Sequence, residues 1–211
     1  MTIENNQDWA NLKKYKEANQ ELIKSHSGRD RTVFIGDSIT ESWSDFSPEF
    51  FQKNNFVNRG ISGQTTPQML IRLKQDAVRL GPKMIVINAG TNDIAGNTGP
   101  STPEMIIDNI CSMAEIAIKN NIDVVLSTIL PVYKYPGNDE VVDPPKIISI
   151  INSALEEYCK KNSLSYVDYY SPMVDEKKGL KSEYGNDGVH PTKEGYDVME
   201  KAVKSVIPGT V

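Results

Sequence analysis

Met84-Ile85-Val86-Ile87-Asn88-Ala89-Gly90 is a nearly continuous apolar run that ends in a turn signal. A strand with one wet face alternates apolar and polar residues. This stretch does not, so both of its faces must be covered, as in a parallel sheet with helices on either side. Thr32-Val33-Phe34-Ile35-Gly36 has the same character. Further runs at Phe56–Arg59, Val124–Leu130 and Tyr166–Tyr169 complete an expected sheet of about five strands.

Helical patterns fill the intervals. Trp9, Leu12, Tyr15, Ala18, Leu22 and Ile23 recur as the apolar face of an entry helix over about 8–25, with Asp8 as its N-cap. Thr66-Pro67 opens a helix through about Leu80, stopped by Gly81. Thr102-Pro103-Glu104 caps another that runs to about Asn120. A helix over about 146–162 buries Ile147, Ile148, Ile151, Leu155 and Tyr158, and Pro191 opens a last one through Tyr196, Val198 and Val203. Prolines make 131–145 irregular, and 171–189 is a polar loop. The alternation predicts an α/β layered fold with a parallel sheet and right-handed crossovers. No repeat, low-complexity tract or linker divides it. The expectation is one domain over residues 1–211, with a core of about 32–207.

Composition narrows the function. The 211 residues carry a net charge of −5, with 38% hydrophobic and 24% charged residues. No Lys/Arg run is interleaved with aromatics, which argues against nucleic acid and anionic membrane surfaces as partners. No apolar segment reaches membrane-spanning length. Residues 1–8 lack a basic region followed by an apolar stretch, so the chain as written reads as cytoplasmic. A chain whose leader had been replaced would read the same. Cys111 and Cys159 fall in helical stretches and read as thiols rather than as a disulfide. No Cys/His cluster suggests a metal, and no Walker or dinucleotide pattern suggests a phosphate cradle.

Four blocks carry the chemistry. Gly36-Asp37-Ser38 follows a strand directly, where open α/β sheets place ligands. Ser38 is a nucleophile there if a base takes its proton; otherwise Asp37 or Ser38 caps the next helix. Gly60-Ile61-Ser62-Gly63-Gln64-Thr65-Thr66 offers backbone N–H groups free of side-chain cover, or a tight turn and a cap. Ala89-Gly90-Thr91-Asn92-Asp93 aims an amide past the most apolar strand, or forms an Asx-type turn. Asp187-Gly188-Val189-His190-Pro191 pairs an imidazole with a carboxylate, or is a solvated surface turn. The chain has two histidines, so a histidine base is His26 or His190. His26 lies at a polar helix end, where a cation suits the helix dipole.

In this order the blocks resemble those of the SGNH hydrolases, the GDSL-type lipases and esterases. The family is named for a Ser, a Gly, an Asn and a His in successive blocks. Ser38, Gly63, Asn92 and His190 match them one by one, and Asp187 matches the acid before the His. The resemblance spans about 32–195, with Ile39 where the pattern has Leu. Gly-Thr-Asn-Asp and Asp-Gly-Val-His-Pro are most similar to the acetylhydrolase and carbohydrate-esterase branches.

The resemblance implies a flavodoxin-like α/β/α sandwich and a serine ester hydrolase. Ser38 would attack the ester, His190 would act as base and acid, and Asp187 would orient His190. Ser38, Gly63 and Asn92 would form the oxyanion hole, with no metal or organic cofactor. Modest size and the lack of a long apolar lid point to short acyl groups, acetyl esters of sugars included. Glu41, Trp43, Tyr133 and Tyr135 are candidate substrate contacts on their proximity to Ser38 and to the sheet edge; otherwise Glu41 lies on a solvated helix face, Trp43 is buried in the core and the two tyrosines are packed aromatics of a surface loop. An apolar acyl channel would instead mark a lysophospholipase or thioesterase. A third reading is a non-catalytic flavodoxin-like module that holds a carbohydrate.

Overall fold

The apolar runs pair side by side and point the same way. In the computed structural model, which describes residues 8–25, 30–138 and 140–211, the chain runs α1 (Lys16–Lys24), β1 (Thr32–Gly36), α2 (Ser38–Phe46), α3 (Pro48–Lys53), β2 (Phe56–Gly60), α4 (Thr66–Asp76), β3 (Met84–Asn88), α5 (Thr91–Ile94), α6 (Pro103–Lys119), β4 (Asp123–Ser127), α7 (Pro144–Asn162), β5 (Ser165–Val167), α8 (Tyr170–Met173) and α9 (Lys193–Val206). The strands form one parallel sheet in the order β2-β1-β3-β4-β5.

Strand geometry sends alternate side chains to opposite faces. Val33, Ile35, Ile85, Ile87, Val124 and Leu126 face one core, with Met69 and Leu73 of α4, Ile106, Ile110 and Met113 of α6, and Ile148, Ile151 and Leu155 of α7. Phe34, Val86 and Val125 face the other, with Trp43 of α2, Phe50 and Phe51 of α3, and Tyr196, Met199 and Val203 of α9. Burying each such aliphatic or aromatic side chain contributes about 1.5–3 kcal/mol, so both layers of helices are held by apolar contact.

Several boundaries differ from the sequence expectation, each for a local reason. The strand expected to reach Leu130 ends at Ser127. Beyond it the Asn152 side chain takes over the strand's hydrogen bonds, accepting from Ile129 N at 2.8 Å and donating to Ile129 O at 3.0 Å. The helix expected to reach Leu80 stops at Asp76, followed by a 3-10 turn over Val78–Leu80. The entry helix is shorter than expected. Asp8 does accept from Leu12 N and Lys13 N, but in a turn that precedes α1. Its apolar face was also misread. Trp9, Ala18 and Ile23 are exposed, and the buried residue of α1 is Asn19. The short helices α3, α5 and α8 carry too few residues to show a period. Among the described residues, no helix is long and apolar enough to cross a membrane.

Candidate active site

The three leading strands end level with one another. Gly36 pairs with Gly60 on one side and with Asn88 on the other. The chain leaves β1 toward β2 on one flank and reaches β3 on the other, so the topological switch point lies between β1 and β3. Open sheets of this order bind ligands there. Glycine lets α2 begin directly on the strand ends. A Cβ on Gly60 would lie 2.1 Å from Glu41 N, and one on Gly36 would lie 2.0 Å from Thr40 Oγ1.

Asp37 caps α2, its Oδ1 accepting from Ile39 N at 2.9 Å. Its carboxyl is 1% exposed. Burial pushes that carboxyl up to about 7, against the opposing pull of the Ile39 hydrogen bond and of His190. Ser38 is the first residue of α2, so its N–H belongs to the set without an intrahelical acceptor.

Across 152 residues of sequence, His190 meets it: Ser38 Oγ lies 2.9 Å from His190 Nε2. His190 Nδ1 lies 2.7 Å from Asp187 Oδ2. The other carboxylate oxygen accepts from Val189 N at 2.9 Å and His190 N at 2.7 Å, which fixes the loop that carries the ring. Partial burial pushes the Asp187 carboxyl up, but the hydrogen bonds from the His190 backbone and ring and from Val189 outweigh it and hold the group below the ordinary carboxylate range. The competing base, His26, lies outside the described residues.

The second and third blocks are fastened together at the same edge. Gly63 sits at φ +76°, a left-handed conformation that suits glycine. Ser62 N donates to Glu41 Oε2 at 2.5 Å. Asn92 Nδ2 donates to Gln64 O at 3.1 Å, which leaves one amide hydrogen for another acceptor. Asp93 accepts from Thr66 N at 3.0 and 2.9 Å and from Thr66 Oγ1 at 2.6 Å, clamping α5 to the start of α4. Burial pushes the Asp93 carboxyl up, and the Thr66 bonds pull it down; burial prevails.

The expected substrate contacts divide. Glu41 pairs with Lys14 Nζ as well as with Ser62 N, so it braces the Gly63 loop. Trp43 does not line a pocket: it is 1% exposed and stacks on Tyr196 in the core. Tyr135 is likewise buried, its hydroxyl 2.9 Å from Thr91 Oγ1, because the loop that carries it folds inward. Tyr133 is exposed. Sequence reasoning missed Asn97, whose Nδ2 donates to Gly63 O at 3.1 Å and to Asn92 Oδ1 at 2.9 Å and so orients the Asn92 amide. Nothing in Gly96-Asn97-Thr98 distinguishes it from an ordinary polar turn. Cys111 and Cys159 are free thiols. Among the described residues, no group of three or more His, Cys, Asp or Glu side chains is placed to hold a metal ion.

Comparison with known proteins bears on the family and the fold. The sequence profile of the GDSL-like Lipase/Acylhydrolase family matches residues 34–198. A solved structure from Bacteroides fragilis, assigned as an acylhydrolase, is 44% identical and superposes with a TM-score of 0.89 over 93% of this chain and 95% of that one. A GDSL-like lipase from Bacteroides thetaiotaomicron is 45% identical, with a TM-score of 0.88 over 93% of this chain and 96% of that one. An acetylxylan esterase from Geobacillus stearothermophilus, 18% identical, shares the fold with a TM-score of 0.67 over 83% of this chain and 93% of that one. No curated protein sequence matches. The family profile covers most of the chain and the two Bacteroides structures cover nearly all of it, so the chain belongs to the GDSL-like lipase/acylhydrolase family and is a carboxylic ester hydrolase.

Proposed function

We propose that Ser38, His190 and Asp187 form the catalytic triad and that the preferred substrates are esters of short acyl groups. The observation that carries the reading is the continuous relay from Ser38 Oγ to His190 Nε2 at 2.9 Å and from His190 Nδ1 to Asp187 Oδ2 at 2.7 Å. With the Nδ1 proton directed at Asp187, the Nε2 lone pair faces the serine hydroxyl. Ser38 Oγ attacks the ester carbonyl as His190 Nε2 takes its proton, and Asp187 stabilises the resulting imidazolium. The tetrahedral oxyanion is received by the N–H groups of Ser38 and Gly63 and by the second amide hydrogen of Asn92. His190 then protonates the departing alcohol, leaving an acyl-serine. Water, deprotonated by the same nitrogen, hydrolyses it and restores Ser38.

The short-acyl reading rests on exposure. The side chains of His190 and Asp187 are 48% and 47% exposed, so the relay lies at an open surface rather than down an apolar tunnel. A small acyl group suits such a site, and the alcohol moiety, a sugar included, extends into solvent.

A panel of p-nitrophenyl esters and acetylated sugars tests both parts. Acetyl and propionyl esters are expected to give kcat/KM above octanoyl and longer ones; a preference for long chains overturns the short-acyl reading. Ser38→Ala should lose turnover and fluorophosphonate labelling with its melting temperature nearly unchanged. His190→Ala should lose activity by orders of magnitude, and His26→Ala should not. Turnover by purified Ser38→Ala, or equal effects at the two histidines, removes the triad assignment.

A further inference from the structure

Arg72 sits on α4 with its side chain fully buried. Its Nε donates to Gln64 Oε1 at 2.5 Å. Its Nη1 donates to the Arg59 carbonyl at 2.8 Å and to Asp76 Oδ2 at 3.3 Å, and its Nη2 donates to the Gly36 carbonyl at 2.9 Å. Gly36 ends β1, immediately before Asp37-Ser38. Arg59 lies one residue before the end of β2. Gln64 follows Gly63, and its carbonyl receives Asn92 Nδ2 at 3.1 Å. One planar cation therefore bonds to the segments that carry Ser38 and Gly63, and through Gln64 it reaches Asn92.

A second ring of contacts backs this network from the N-terminal side. Asp76 also accepts from Asn19 Nδ2 at 2.7 Å, and Asn19 Oδ1 accepts from Arg59 Nε at 2.8 Å. Gln64 Nε2 donates to Ala10 O at 2.8 Å, and the Tyr15 hydroxyl donates to Gly60 O at 2.5 Å. Packing does not require a charge here. Met69 and Leu73, on the same helix, are apolar and fully buried. A buried ion pair is often matched or bettered in stability by apolar residues of similar volume. A guanidinium does what an apolar side chain cannot: its fixed fork of N–H donors holds several backbone and side-chain oxygens at set separations.

We infer that Arg72, braced by Gln64 and Asp76, is a positioning residue that sets the relative placement of the Ser38, Gly63 and Asn92 donors. It acts through the Gly36 and Arg59 carbonyls and the Gln64 side chain. The inference rests on the oxyanion reading above.

Steady-state kinetics on p-nitrophenyl acetate, with melting temperatures from the same preparations, test it. Arg72→Lys keeps a cation for Asp76 but loses the fork. It should lower kcat by about tenfold or more and change KM by less than about twofold, since misplacement by an ångström can cost about a hundredfold. Gln64→Met should show the same split, and it carries the test if Arg72→Lys does not fold. Leu73→Ala destabilises the same helix without touching the network; assayed below its own melting transition, it should keep a near-normal kcat. Because Asn92 is placed through Gln64, Arg72→Lys combined with Asn92→Ala should lose less than the product of the single losses. The inference is overturned by a kcat within about twofold of wild type in whichever variant folds, by equal kcat losses in Leu73→Ala and Arg72→Lys, or by fully multiplicative losses. A normal kcat in Asn92→Ala instead removes the oxyanion reading and this inference with it, so the two failures are distinct.

Discussion

At the scale of one residue, Asp37 has a measurable consequence. Its carboxyl is pushed from an ordinary 3.8 up to about 7 by burial. A carboxyl whose folded pKa exceeds its unfolded value binds protons more tightly in the folded chain. Its stabilising contribution is full below about pH 4 and is lost as pH rises to about 7. Asp187 has the opposite sign: its folded pKa is lowered, so its contribution is present at neutral pH and lost in acid. Asp37→Asn keeps the oxygen that accepts from Ile39 N and removes the titration. Melting temperatures from pH 4.5 to 8 should show the variant gaining on wild type as pH rises, and the difference between the two curves cancels Asp187. A difference independent of pH would mean that Asp37 is ionised across the range. Ser38, Asp187 and His190 became candidates only through the four blocks taken in order, since each block alone reads as readily as a helix cap or a turn. The placement of Trp43 and Tyr135 was not legible, since an aromatic near a strand end serves a core as readily as a pocket, and only packing decides.

At the scale of elements, the seat of α2 on the sheet edge gives the next expectation. Gly60→Ala would put a Cβ 2.1 Å from Glu41 N and 2.7 Å from Asp37 O, both backbone atoms of the turn that presents Ser38. Backbone cannot swing aside as a flexible side chain can, so overpacking here should cost about 1–3 kcal/mol or more. Chemical denaturation should show that loss, and kcat should fall with it because Ser38 moves with the displaced turn. Unchanged stability would mean that α2 shifts freely on the strands. The helix α7 was readable because it buries a long apolar stripe, and α4 and α6 because Thr66-Pro67 and Thr102-Pro103 mark their first turns. The entry helix α1 was misread because its inward face carries Asn19, a polar residue engaged with Asp76 and Arg59. Periodicity counts apolar residues, so a helix docked through a polar network presents the wrong face to it. Arg72 escaped notice for the same reason: a lone arginine in a helical run reads as solvated until its acceptors are seen.

At the scale of the whole molecule, the site joins the two ends of the chain. Ser38 begins α2, and His190 lies just before α9. The two helices are tied by the Tyr196 hydroxyl, which donates to Ile39 O at 2.9 Å, and by Tyr196 stacked on Trp43 with ring centroids 5.8 Å apart. The parallel sheet could be expected from the alternation of strands and helices, but this tie could not, because it forms between positions that share no local pattern. It bears on how the enzyme fails. If α9 and its preceding loop belong to the same cooperative unit as the sheet, urea should abolish esterase activity and the signal of buried Trp43 at one midpoint. The exposed Trp9 contributes little change to that signal, and a Trp9→Phe background removes it. Tyr196→Phe keeps the stacking and deletes the hydrogen bond, which should cost about 1 kcal/mol. In a cooperative molecule both midpoints move down together by the same amount. Activity lost at clearly lower urea than the Trp43 signal, with Tyr196→Phe widening the gap, would instead show that the His190 loop and α9 detach before the sheet unfolds.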